Sequence, residues 1–410
     1  MAPHCVSKDQ THNPQCANIC TIEPLGTIEG PPDTSDTRGG GHARSWPPSA
    51  GASVGLADAD GGDSEIVARL LRLPGYGVYR WEMDDAANTL KQFLSHDDVL
   101  PWRDPMTEGP FPAGLDLCAT SEIRAGYLAG PGIPYDQVLR DFQLRDEHLA
   151  AAERYGEITL WFEHDLLDQL QLLQILDWFA STRMTSNKLD IICVNAFPGI
   201  VPFHGLGQLD PAQMATLLDK RLPVTSAHLE LAQSGWAAFR SPDPRDVEAF
   251  LGRELRPFPF MKAALARHLQ EFPALSNGLG RTDQQILQLT SEGIGRPGRI
   301  FAANIELETA LFIGDWGIYR HFQELCNVRR LLHCSPGGEF RGVLEPALSA
   351  EEFSRQELSL TDRGRQVLAH EADASAFGMA DHWLGGVHLA NGKPRWRWDE
   401  SARRLTVAKA

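Results

Sequence analysis

The sequence predicts an α/β fold: a mostly parallel, Rossmann-like sheet followed by a helical region with a winged-helix-like C-terminal module. Three observations predict it. Between residues 66 and 205, short strand-like apolar runs alternate with helical periodicity, the pattern of a parallel sheet with right-handed crossovers. The run Leu189–Asn195 is almost wholly apolar, as a central parallel strand should be. After Pro198 the strand signals stop, and Pro or Asp-Pro pairs punctuate helical stretches.

Taken in order, residues 1–65 are rich in Gly, Pro, Ser, Thr and Asp and lack apolar periodicity, so they read as a disordered tail. Gly51-Ala-Ser53-Val-Gly55 has the nucleophile-elbow spacing but neither the strand nor the helix that motif needs. His4, Cys5, His12, Cys16 and Cys20 fit no paired zinc-ligand spacing. An α/β domain is expected over 66–205. Its strands are Val78–Trp81, Asp98–Trp102, Glu157–Phe162 and Leu189–Asn195. Its helices start at Asp84/Asp85, which can cap free N–H groups, and cover 115–129, 135–155 and 166–179. A helical region follows over 206–280. Residues 281–410 form the last module, with helices at 282–291, 297–308 and 316–333. Leu358-Ser-Leu-Thr-Asp-Arg-Gly then reads as a strand entering a helix, as winged-helix domains close. A Trp-rich tail ends the chain.

The net charge of −16 argues against nucleic acid and anionic membranes as partners. The acidity lies in the first two thirds: residues 1–280 carry 22 basic and 37 acidic side chains, and residues 281–410 carry 16 and 17. No apolar run reaches the roughly 20 residues that span a bilayer. Seven cysteines, several in apolar stretches, suit a reducing compartment, so a cytoplasmic location is expected.

Ligands of open parallel sheets bind beyond the carboxyl ends of the strands. Asp84 and Asp85 follow the first predicted strand. Arg103, Asp104 and Glu108 follow the second, Glu163, His164, Asp165 and Asp168 the third, and Asn195 the fourth. Carboxylates brought to one edge repel one another unless a cation is present, and a divalent metal held by Glu163 and Asp165 would resolve the conflict. His164 and Asp168, four apart, share a helix face and are candidate catalytic residues with Asp104. Asp84, Asp85, Arg103, Glu108 and Asn195 are candidate ligand-binding residues, with Arg103 suited to an anionic group. The plainer alternative is that these carboxylates cap helices, each worth about 0.3–1 kcal/mol. Asp381-His382-Trp383 with His388 offers a second, weaker cluster, more simply read as a packing turn.

Two strings carry a family likeness. Pro101-Trp102-Arg103-Asp104 with Glu108-Gly109-Pro110, and Trp161-Phe162-Glu163-His164-Asp165 with Asp168-Gln169, resemble the domain of unknown function 1835 family. Gly205-Leu-Gly207, Gly314-Asp315-Trp316 and Trp383 to His388 extend the resemblance over most of the chain beyond the tail. The family's opening Asn-Gly-Asp-Ser is replaced here by Glu82-Met83-Asp84-Asp85. The resemblance implies the architecture and no activity. The expected function is binding of a small polar or phosphorylated ligand at the acidic strand-end cleft, with metal-dependent hydrolysis or transfer as the chemistry. The alternative is a ligand-sensing regulatory protein whose winged-helix-like module contacts a protein or, less in keeping with its thin basic face, DNA.

Overall fold

The computed structural model describes residues 85–92, 99–130, 133–182, 188–342, 348–378, 381–390 and 393–408. The expected tail, the first strand and Asp84 lie outside them. All belong to one compact unit, Gly62–Ala410.

The chain begins with α1 (Asp85–Leu90), a two-residue β1 (Gly109–Pro110), α2 (Leu117–Leu128) and α3 (Tyr135–Ala150). Asp116 caps α2 by accepting from Ala119 N at 2.8 Å. Then come β2 (Glu157–Glu163), α4 (Leu166–Thr182) and β3 (Lys188–Val194), with the helix joining two parallel strands. β3 pairs on its other side with the antiparallel β4 (Leu222–Pro223), which follows α5 (Pro211–Ala215). Ten of the α4 side chains are buried, including Gln169, Gln171 and Gln174. A helix buried around most of its circumference must give each such amide a partner.

Next are α6 (Ser226–Phe239), α7 (Arg245–Leu251), α8 (Met261–Leu269), α9 (Arg281–Ser291), α10 (Pro297–Glu306) and α11 (Asp315–Gln323). The antiparallel pair β5 (Leu332–Ser335) and β6 (Glu357–Leu360) is separated by α12 (Ala350–Ser354) and followed by α13 (Asp362–Leu368). The C-terminal region holds β7 (His382–Gly385), β8 (Val387–Leu389), β9 (Trp396–Asp399) and β10 (Arg404–Val407), paired as two antiparallel hairpins. Among the described residues the fold is therefore a mixed α/β arrangement with small mixed sheets and no closed barrel. One apolar core runs from Trp102 to Leu405, so the segments read separately in the sequence share an interior.

Two expectations are corrected. Val99 to Trp102 form no strand. Pro101 has no N–H to give a ladder, and the Trp102 indole N–H is instead taken by Gln174 Oε1 at 3.0 Å. The helix expected over 316–333 ends at Gln323, continues as a π turn over Glu324–Val328, and gives way to β5 after Arg330 turns the chain at φ 56°. In the Trp-rich tail, β7 pairs in parallel with β1, across 275 residues of sequence from Gly109 to Leu384.

That last junction is tight. Gly386 N donates to Phe239 O at 2.9 Å, and a Cβ on Gly386 would overlap the Arg240 carbonyl. Gly386→Ala is expected to destabilise the protein by about 1–3 kcal/mol, because backbone rather than a flexible side chain must move. Urea unfolding of the variant checks this; an unchanged midpoint would refute the packing described. Among the described residues no helix is long and apolar enough to cross a membrane.

Candidate functional site

β2 ends at Glu163 and α4 begins at Leu166, so three residues, Glu163 to Asp165, span a sharp strand-to-helix junction. Free N–H groups at such a junction need acceptors, and acidic side chains supply them. Asp165 Oδ1 accepts from Asp168 N at 2.9 Å, and Asp168 Oδ2 reaches back to Glu163 N at 2.6 Å. Glu163 Oε1 accepts from Leu206 N at 2.5 Å, at the start of the short 3-10 turn Leu206–Gln208. The neighbouring Gly205 lies against the same carboxyl, and a Cβ there would overlap it. The loop after β3 is thereby held over the end of β2.

The polar floor comes from the adjoining elements. Gln169 Nε2 donates to Glu163 O at 2.6 Å and lies 3.4 Å from Cys193 Sγ on β3. His164 lies edge-on to Phe260 at 6.1 Å, bonded to the backbone of Thr309 and near His204. Its Nδ1 is buried and has no hydrogen-bond partner.

Electrostatically the junction is strained. Burial is the largest cause, and it favours the protonated form of each acid. Glu163 is pushed up to about 8 by burial and then by the Asp165 charge, against the Leu206 N–H. Asp165 is pushed up to about 6 by burial, against the N–H groups of Asp168 and Leu167. Asp168 is raised well above the usual carboxylate range by burial, then by Asp165 and Glu163. His164 is lowered by burial, with His204 adding to the effect and the Thr309 backbone opposing it. The Cys193 thiol is pushed up to about 12 by burial, which makes it a packing group and not a nucleophile at neutral pH.

Of the sequence-based candidates, Glu163, His164, Asp165 and Asp168 are brought together. Asp104 is not one of them in chemical role. Its carboxylate, 1% exposed, is paired with the fully buried Arg124 at 2.6 Å, so it has no free lone pairs aimed at a ligand. Glu108 faces α11, with Oε2 at 3.5 Å from Arg320 Nε and 3.4 Å from the Tyr127 hydroxyl that donates to it. Arg103 lies near Asp141, whose carboxyl it lowers against a larger rise from burial. Asn195 is exposed just past β3, and Asp85 is the first residue of α1. Among the described residues no group of three or more His, Cys, Asp or Glu side chains is arranged to hold a metal ion.

Sequence reasoning missed Gln169, Cys193, His204, Gly205 and Leu206 as parts of this junction. The Gly205-Leu-Gly207 string was the one local sign, since a glycine there lets backbone approach a carboxyl. No family model, curated protein or solved structure matches the chain.

Proposed function

We propose that the chain binds a small polar or phosphorylated ligand at the β2–α4 junction and that the acids there exchange protons with it. One observation carries the reading. Three carboxyl groups, Asp165 buried and Glu163 and Asp168 half-buried, gather at the carboxyl end of parallel strands, next in sequence to a histidine whose buried Nδ1 lacks a partner. Perturbed acids in such a place are what general acid–base chemistry requires. Asp165 and Glu163, displaced to about 6 and about 8, bracket neutral pH, so one can give a proton while the other takes one. His164, held neutral by burial, offers the remaining acceptor or donor. One oxygen of each carboxyl already accepts a backbone N–H bond, and the reading is built on proton transfer and hydrogen bonding. The kinship with the domain of unknown function 1835 family is part of this proposal. It rests on the Trp102-Arg103-Asp104 and Trp161 to Gln169 strings and carries no reaction with it.

The test is a melting-temperature screen of the full chain against nucleotides, sugar phosphates and small polyols. Specific binding to the native state raises the transition. At least one compound should raise it by several degrees, and His164→Ala should remove that shift. No shift in the wild type with any class, or a shift retained in His164→Ala, overturns the reading.

A second reading concerns the C-terminal module. The order α9, α10, α11, β5, β6 and the bond from Leu358 N to Gly295 O at 2.7 Å, between α9 and α10, support a winged-helix-like arrangement. In such an arrangement α11 takes the place of the reading helix. Here Arg320 stacks on Tyr127 at 4.6 Å, and Trp316 packs on the cluster around Ala125 and Leu128. That covers α11 with the chain's own α2 and disfavours DNA reading by this helix.

A further inference from the structure

The acid junction is joined to α11 through helix α4 itself, a set of side-chain hydrogen bonds and a final ion pair. Gln171, one turn into α4, donates from Nε2 to Asp104 O at 3.1 Å, and Gln174, on the next turn, holds the Trp102 indole. Both glutamines and Asp104 are buried. Arg124 of α2 grips that loop from the other side, through the Asp104 carboxylate, Pro105 O at 3.1 Å and Glu108 O at 2.6 Å. The Glu108 carboxylate then meets Arg320 on α11, and Gly317 leaves room for it: a Cβ on that glycine would overlap Glu108 Oε1.

The links differ in strength. Those between α4, the loop and α2 are short, buried and charge-assisted in part, and such groups are costly to unpair. The Glu108–Arg320 joint is long and, on the Arg320 side, 39% exposed. It is the place where the chain of contacts can open.

We propose that the β2–α4 junction and the seating of α11 on α2 form one coupled unit, so that loosening either end loosens the other through Gln171, the 102–108 loop and Arg124. The inference takes the junction as the binding site argued above and rests on that reading: a ligand there would change how firmly the C-terminal module is held. Coupling between sites is reciprocal, so it can be driven from the exposed end without a ligand.

The experiment is amide hydrogen exchange on the full chain. Two amides report on the junction: Glu163 N, held by Asp168, and Leu206 N, held by Glu163. Arg320→Ala should speed their exchange at least threefold. Trp398 N, bonded to Pro273 O away from the relay, should be unchanged. With Gln171→Leu in the background, Arg320→Ala should add nothing at the junction. Should that background fail to fold, Gln171→Met, close to glutamine in length but without a donor for Asp104 O, serves in its place. Unchanged Glu163 and Leu206 amides in Arg320→Ala overturn the coupling. So does an equal acceleration at Trp398, or an effect that survives loss of the glutamine. The ligand screen fails or succeeds independently, since the exchange readout needs no ligand.

Discussion

Asp104→Ala is expected to destabilise the protein by about 3–5 kcal/mol, because it strands a guanidinium that has no water to turn to. Arg124 is fully buried, and its Nε and Nη2 both bond the Asp104 carboxylate, at 2.9 and 2.6 Å. It is also wedged over the Phe111 ring at 4.3 Å, so it cannot swing out to solvent without opening the core. Removing the anion leaves most of the cost in place and takes away what offsets it. Arg124→Leu with Asp104→Ala should recover a good part of the loss, since an apolar pair asks for no partner. Denaturant unfolding of the three variants measures this. A single-variant loss below about 1 kcal/mol would show that the pair is not the buried bond described.

The same residue shows what was legible in the sequence. β2, α4 and β3 could be read because their signals are local: apolar runs of strand length and a helix apolar around most of its surface. The cluster of Glu163, His164, Asp165 and Asp168 followed, since six consecutive positions at a strand-to-helix junction must lie close together. Asp104 was placed with them by a rule about strand ends, and there is no strand before it. Its true partner sits twenty positions later in α2, a helix whose buried face includes Thr120, Ser121, Arg124 and Leu128. An arginine at helical spacing among buried positions was the available sign of an internal ion pair. The contacts that close the site, from Glu163 to Leu206 and from Gln169 to Cys193, span 43 and 24 positions. Nothing in local periodicity encodes such pairings; they follow from how β3 and its loop return over β2.

Stability should fall as pH rises from about 5 to about 8, and the junction acids should be responsible for most of the fall. Glu163, Asp165 and Asp168 all have folded values above those of free carboxyls. Between the unfolded and folded values the native state holds more protons than the unfolded one, so raising the pH favours unfolding. Their contribution is fully present below about 4 and is lost through about 8, where Glu163 gives up its proton. One extra proton held over three pH units corresponds to roughly 4 kcal/mol. His321 acts in the same direction but later. The Asp283 charge, reinforced by their 2.7 Å hydrogen bond, raises it to about 9 against burial. Its contribution is complete below the ordinary histidine value and is lost as pH passes about 9. Asp168→Asn separates the two. The asparagine oxygen can still accept from Glu163 N, while the carboxyl that burial, Asp165 and Glu163 together displace no longer titrates. Unfolding free energies measured at pH 5, 6, 7 and 8 should therefore decline much less steeply in Asp168→Asn, and the variant should be the more stable protein at pH 8. His321→Gln should leave the slope between pH 5 and 6 untouched. Parallel curves for wild type and Asp168→Asn would mean that the junction carboxyls titrate as ordinary surface acids, and the proton-exchange role proposed for them would have no basis.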